Sequence, residues 1–160
     1  MNIMTINNLV ITIRSQDKSS AINANMLREL FDKRDLPSWK HGNRTVCDIS
    51  ILIKGINNLL GLGESNTIPR IRSIHNAYLE LREINPQLGI SEERIRFLVV
   101  KQKLPHVKIG NRAYVALECF EPPYNECLIY DDSVDSTEAE IERIVREQFE
   151  RSMKNRRDKH

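Results

Sequence analysis

The chain is short of the features that name a function outright. Of its 160 residues only three are cysteine, at Cys47, Cys119 and Cys127. An odd count suits a reducing compartment better than a secreted disulfide scaffold. The four histidines stand far apart, at His41, His75, His106 and His160. Cys119 and Cys127 have no histidine at zinc spacing, so neither a metal nor a cofactor is expected. No glycine-rich phosphate loop, zinc-protease helix or nucleophile elbow occurs, so no catalytic residue is assigned and no enzyme is expected. No apolar run reaches the roughly 18 residues that span a bilayer. Met1 to Thr12 carries no basic leader and no small-residue cleavage site. A cytoplasmic protein without a membrane partner is the expectation.

What is present is charge, unevenly placed. Residues 1–62 hold 8 Lys/Arg against 5 Asp/Glu, and residues 63–120 hold 9 against 6, so each stretch is +3. Residues 121–142 hold eight acids and no base, whereas 143–160 hold seven bases and three acids. A mildly basic body can meet a phosphate backbone. A solvated surface of ordinary charge accounts for the same numbers.

The sequence also repeats itself. Leu36-Pro37-Ser38-Trp39-Lys40-His41-Gly42-Asn43-Arg44 returns as Leu104-Pro105-His106-Val107-Lys108-Ile109-Gly110-Asn111-Arg112, six of nine positions identical at an offset of 68. Without gaps, 14 of 47 positions agree between 3–49 and 71–117. Two copies of one small unit are therefore expected, at 1–62 and 67–120, followed by an acidic linker, 121–136, and a C-terminal amphipathic helix with a basic end, 137–160.

Each copy reads as helix, turn, helix, hairpin. In the second copy Pro69 is expected near the first turn of a helix with apolar residues from Ile71 to Ile84. Ser91 is a good N-cap for the next helix, which runs to about Gln102 and turns Ile95, Leu98 and Val99 inward. Leu104-Pro105 stops it. Short strands then flank Gly110-Asn111, a tight turn. The first copy has its second helix at about Ala24–Arg34, its turn at Gly42-Asn43 and a further helix capped by Asp48 or Ser50. Its opening segment, 5–14, is ambiguous. Leu9 to Ile13 is β-branched and strand-like, but the match to 71–84 favours helix. The fold class expected is mainly α with short β-hairpins, α+β.

This order of helix, Leu-Pro, basic strand, Gly-Asn-Arg and second strand resembles the excisionase-type and MerR-type winged helix-turn-helix DNA-binding domains. It covers roughly 1–60 and 67–117. The resemblance implies that the second helix of each copy enters the major groove and that the hairpin, or wing, meets the backbone or minor groove. By position the recognition helices are 24–34 and 91–102, and the wings 39–46 and 107–115. Candidate readers on the helices are Asn25, Arg28, Arg94, Arg96 and Lys101, with Phe97 also free of the core. Arg and Asn can read guanine and adenine edges bidentately. On the wings the candidates are Lys40, Asn43, Arg44, Lys108, Asn111 and Arg112, where a cation can reach phosphate. The resemblance further implies a regulator of transcription or recombination in a bacterial phage, plasmid or transposon, with double-stranded DNA as partner.

Two features pull the other way. Glu92 and Glu93 open the second recognition helix, where they suit the helix dipole but face phosphate unfavourably. They leave open a protein partner, for instance an inhibitor that reuses the fold. In the tail, Thr137 and Glu140 form a capping box, and Ile141, Ile144, Val145, Phe149 and Met153 lie on one stripe. Ile141, Val145 and Phe149 are candidates for homodimer contacts; packing on the chain's own body would bury them equally. The segment between the copies, with Gly61, Gly63, Ser65 and Asn66, has a flexible composition and short reach.

Overall fold

The computed structural model describes residues 1–87, 89–122, 124 and 146–154. It is an α+β protein with two small three-stranded antiparallel sheets. The elements run β1 (Ile3–Thr5), α1 (Ile6–Gln16), α2 (Ala24–Asp32), β2 (Trp39–His41), β3 (Arg44–Asp48) and α3 (Ile49–Leu59). They then repeat as β4 (Ile71–Ser73), α4 (Ile74–Ile84), α5 (Glu92–Val100), β5 (Val107–Ile109) and β6 (Arg112–Ala116). Each of the first five recurs 68 residues on, without a shift. The sheets share one order, β1-β3-β2 and β4-β6-β5, and one register: Ile3 faces Asp48 as Ile71 faces Ala116. A short 3-10 helix, Leu117–Phe120, stands where the first copy has α3.

Local chemistry explains the boundaries. Thr5, Asn23, Asp48, Ser73 and Ser91 cap α1 to α5, each side chain accepting a first-turn N–H. Of the segment 5–14, all after Thr5 is helical, because Ile6, Leu9 and Ile13 fall on one buried face. Ile74, Ala77 and Leu81 do the same in α4. Two expectations are corrected here. Pro69 does not open a helix; it is buried before β4, and Ser73 starts α4. Residues 71–73, taken as the start of that helix, are instead an edge strand, as are residues 3–5, each pairing with the long strand of its hairpin.

The Leu-Pro step follows from how α2 and α5 end. The N–H of Arg34 donates to Phe31 O at 3.1 Å and that of Asp35 to Leu30 O at 3.0 Å. Gln102 and Lys103 repeat this with Val99 O and Leu98 O at 3.0 and 2.9 Å. These are Schellman ends, and they force the following residue into the left-handed region. Arg34 and Gln102 have φ of 61° and 56°, without the glycine usual at that place. Leu36 and Leu104 then drop into the core, 1% and 0% exposed. Each hairpin turns on a glycine, Gly42 or Gly110, with φ of 64° and 60°.

The two copies do not hang on a loose tether, as the composition of 60–67 suggested. Buried Asn57 donates through Nδ2 to Ser65 O and Thr67 O, both at 2.9 Å, and so gathers the connecting segment. Apolar side chains of both copies form one cluster, from Ile6 to Phe120. Among the described residues no helix is long and apolar enough to cross a membrane.

Candidate nucleic-acid interface

Two concave grooves of similar size, about 650 Å³ and about 600 Å³, occupy equivalent places in the two copies. In the first, α1 contributes its cap Thr5 with Ile6, Asn7 and Asn8; α2 contributes Arg28 and Asp32; the hairpin contributes Lys40, Asn43, Arg44 and Thr45. In the second the corresponding lining is Ser73, Ile74 and His75 from β4 and α4, Arg96 and Val100 from α5, and Lys108, Asn111, Arg112 and Ala113 from the hairpin. Val99, Gln102 and His106 complete the wall, and Gln148 of the helical residues 146–154 also reaches it.

Eight of the eleven residues expected to touch DNA are thus brought together, four in each groove: Arg28, Lys40, Asn43 and Arg44, then Arg96, Lys108, Asn111 and Arg112. Pleating explains the hairpin's share. Lys40 lies across from Thr45 and Lys108 across from Ala113, on the face turned to the groove. Lys40 Nζ donates to Thr45 Oγ1 at 2.7 Å. Trp39 and His41 alternate to the other face. The helices bring one further element that the sequence reading missed, the start of α1 and of α4. First-turn N–H groups and the positive end of the helix dipole stand at the groove wall beside the cations. The signal was present in Thr5 and Ser73, small polar residues at equal offset before an apolar stripe.

The other three expected readers lie elsewhere. Asn25 is exposed but lines neither groove. Arg94 and Lys101 are drawn to Phe97, their charges 5.4 and 5.9 Å from its ring centroid. Phe97 itself was expected on the reading face and is 1% exposed. Residues 94, 97 and 101 form one helical stripe and 96, 99 and 100 another, and only the second lines the groove. Lys101 is exposed and Arg94 half-buried, so each contact is worth about 0.5–1 kcal/mol and biases the side chain toward the ring.

The electrostatics of the grooves differ. Arg96 Nη2 donates to Glu92 Oε1 at 2.8 Å, and His75 Nδ1 lies 3.2 Å from the same oxygen. Burial opposes ionisation of Glu92, but these hydrogen bonds and charges outweigh it and hold its pKa below the ordinary carboxylate value. The first copy has Ala24 and Asn7 at those positions, and Arg28 has no ion pair within 4.0 Å among the described residues. His106 is half-buried in the second groove, its Nδ1 3.0 Å from Leu104 O. The thiols of Cys47 and Cys119 are buried and pushed up to about 11, first by desolvation and then by Asp48 and Glu118, which makes both poor nucleophiles.

Of the tail candidates, Ile141 and Val145 lie outside the described residues, as do Thr137, Glu140 and Ile144. Phe149 and Met153 are 65% and 39% exposed. Compared with protein-family models, curated proteins and solved structures, the chain matches none.

Proposed function

We propose that the chain is a non-catalytic, sequence-specific double-stranded DNA-binding protein built of two tandem winged helix-turn-helix units, a regulator of transcription or recombination in a bacterial mobile element. One observation carries the reading: an Arg from the second helix and a Lys, Asn and Arg from the hairpin converge on a groove twice, at an unshifted offset. A scattered solvated surface has no reason to repeat a concave arrangement. The helix supplies the base-reading arginine, and the hairpin cations and the starts of α1 and α4 hold phosphate.

Selection of bound duplexes from a random pool, at two salt concentrations, tests it. Wild type is expected to return a consensus, and Arg28→Ala and Arg96→Ala to relax it at one or two base pairs each. The same consensus for wild type and both variants removes base reading by these helices. A protein-binding role for the second unit is the alternative, and the Glu92 clamp on Arg96 favours it. Exposed Phe149 agrees with pairing of two chains through the C-terminal helix. Sedimentation of the full chain and of one ending at Tyr130 decides that point.

A further inference from the structure

We infer that the joint between the two repeats makes the chain a fixed-spacing reader: both grooves engage one duplex only when its half-sites stand at a single separation, and Arg72 is the positioning residue that sets it. The inference rests on the DNA-binding reading and deepens it.

Arg72 is 4% exposed. Its Nη1 and Nη2 donate to Asp17 Oδ2 and Oδ1 at 2.7 and 2.8 Å, and its Nε to Glu80 Oε1 at 2.5 Å. A two-pronged guanidinium–carboxylate pair fixes orientation as well as distance. Its place in the chain gives it leverage. Asp17 caps the C-terminal end of α1, the helix whose start lines the first groove. Arg72 lies in β4 next to Ser73, which lines the second. The equivalent residue of the first copy is Met4, so the arginine belongs to the joint and not to the repeat.

Other contacts cross the same seam. Ala21 N donates to Ile71 O at 2.9 Å, and Cys119 Sγ donates to Leu60 O at 3.4 Å. Gly61, at φ +73°, lies so near Pro105 that a Cβ there would stand 2.7 Å from the ring. A loose tether would let two units follow half-sites over a range of spacings. A rigid pair cannot. Each inserted base pair moves the second half-site by roughly 3.4 Å and about a tenth of a turn.

Two measurements on the full chain test this. Spin labels at Ser15→Cys and Glu83→Cys, exposed and equivalent on α1 and α4, with Cys127→Ser, report the distance between repeats. A single narrow distribution is expected, broadened by Arg72→Met and by the milder Asp17→Asn. Duplexes taken from the random pool and carrying both half-sites are then lengthened by one to about five base pairs between them. Wild type should lose roughly tenfold in affinity at the first insertion, and Asp17→Asn clearly less. A broad wild-type distribution, or equal narrowness in both variants, overturns the rigid joint. Equal affinity at every spacing, with narrow distances, overturns the fixed-spacing reader and leaves DNA binding standing. A pool that yields no bound duplex, with narrow distances, overturns the DNA reading and the spacing reader with it, while the joint stands.

Discussion

Arg28 and Arg96 sit at equivalent positions on equivalent helices, yet they are not in the same condition. Four residues before Arg28 stands Ala24; four before Arg96 stands Glu92, which holds Arg96 and has His75 on its other side. Among the described residues the first groove offers a guanidinium with no ion pair within 4.0 Å, and the second offers one already paired. Repetition sets where the cations are, and the residues that do not repeat set what each is free to do. A paired arginine is not thereby silenced. It has five N–H donors, and a carboxylate that takes one can hold the rest in a fixed direction. The first groove therefore gains in adaptability what the second gains in order.

The largest expected effect lies where the repeats differ most, at Met4 and Arg72. Arg72→Met leaves Asp17 and Glu80 without the cation they share, at a cost of roughly 3–5 kcal/mol. Asp17→Asn in the same chain should recover part of it. Urea unfolding of the four chains of this cycle gives the coupling, and additive losses would show that the pair does not act as one. Next come the hairpins. Lys40→Ala with Arg44→Ala, and Lys108→Ala with Arg112→Ala, should weaken all duplexes alike. Each should lower the slope of log affinity against log salt by about 0.9 per lost phosphate contact. A folded pair of variants with an unaltered slope would take that hairpin out of the interface and make the two grooves unlike in kind.

A smaller effect tests whether the repeats share their strain. Arg34→Gly and Gln102→Gly relieve a left-handed residue at the same structural place, each stabilising the chain by about 0.5–1 kcal/mol. Thermal melting checks this, and unequal gains would locate strain in one repeat only. The smallest effects exchange the clamp. Ala24→Glu should give Arg28 a partner and Glu92→Ala should free Arg96, each changing affinity roughly two- to fivefold. The clamp also has a pH signature. The pKa of Glu92 is depressed in the fold, so the stability it contributes is present above the ordinary value of 4.5 and lost as pH falls through the lower folded value. The stability difference between wild type and Glu92→Gln should therefore shrink as pH falls below that point. A difference that stays flat from about pH 6 to about pH 3 would remove the clamp.

Much of the first level was legible. The repeat offset, the helices after Asn23 and Ser91, the inward residues Leu27, Leu30, Ile95 and Leu98, and the glycine turns all follow from local periodicity and turn chemistry, which neighbouring residues settle among themselves. The edge strands at Ile3 and Ile71 were not legible. Three residues carry no period, and their partners Asp48 and Ala116 lie 45 residues away in sequence. Phe97 failed for a related reason. On a helix drawn alone it falls off the apolar face, and only tertiary burial turns Arg94 and Lys101 into its cover.

By itself the sequence determined that the chain repeats, where each helix is capped and where each hairpin turns, because these depend on contacts within a few residues. It also determined that arginine, lysine and asparagine recur in one order. The tertiary structure decided which of those residues share a groove. It turned Lys40 and Lys108 inward, sent Arg94 and Lys101 to an aromatic ring, and set Glu92 against Arg96. It also decided that the segment after Leu60, glycine-rich and open by composition, is gathered by Asn57, and that Arg72 reaches across to Asp17. Such contacts join residues as much as 55 positions apart. No local pattern records them, since a charge or an amide reveals its partner only when the chain has closed around both.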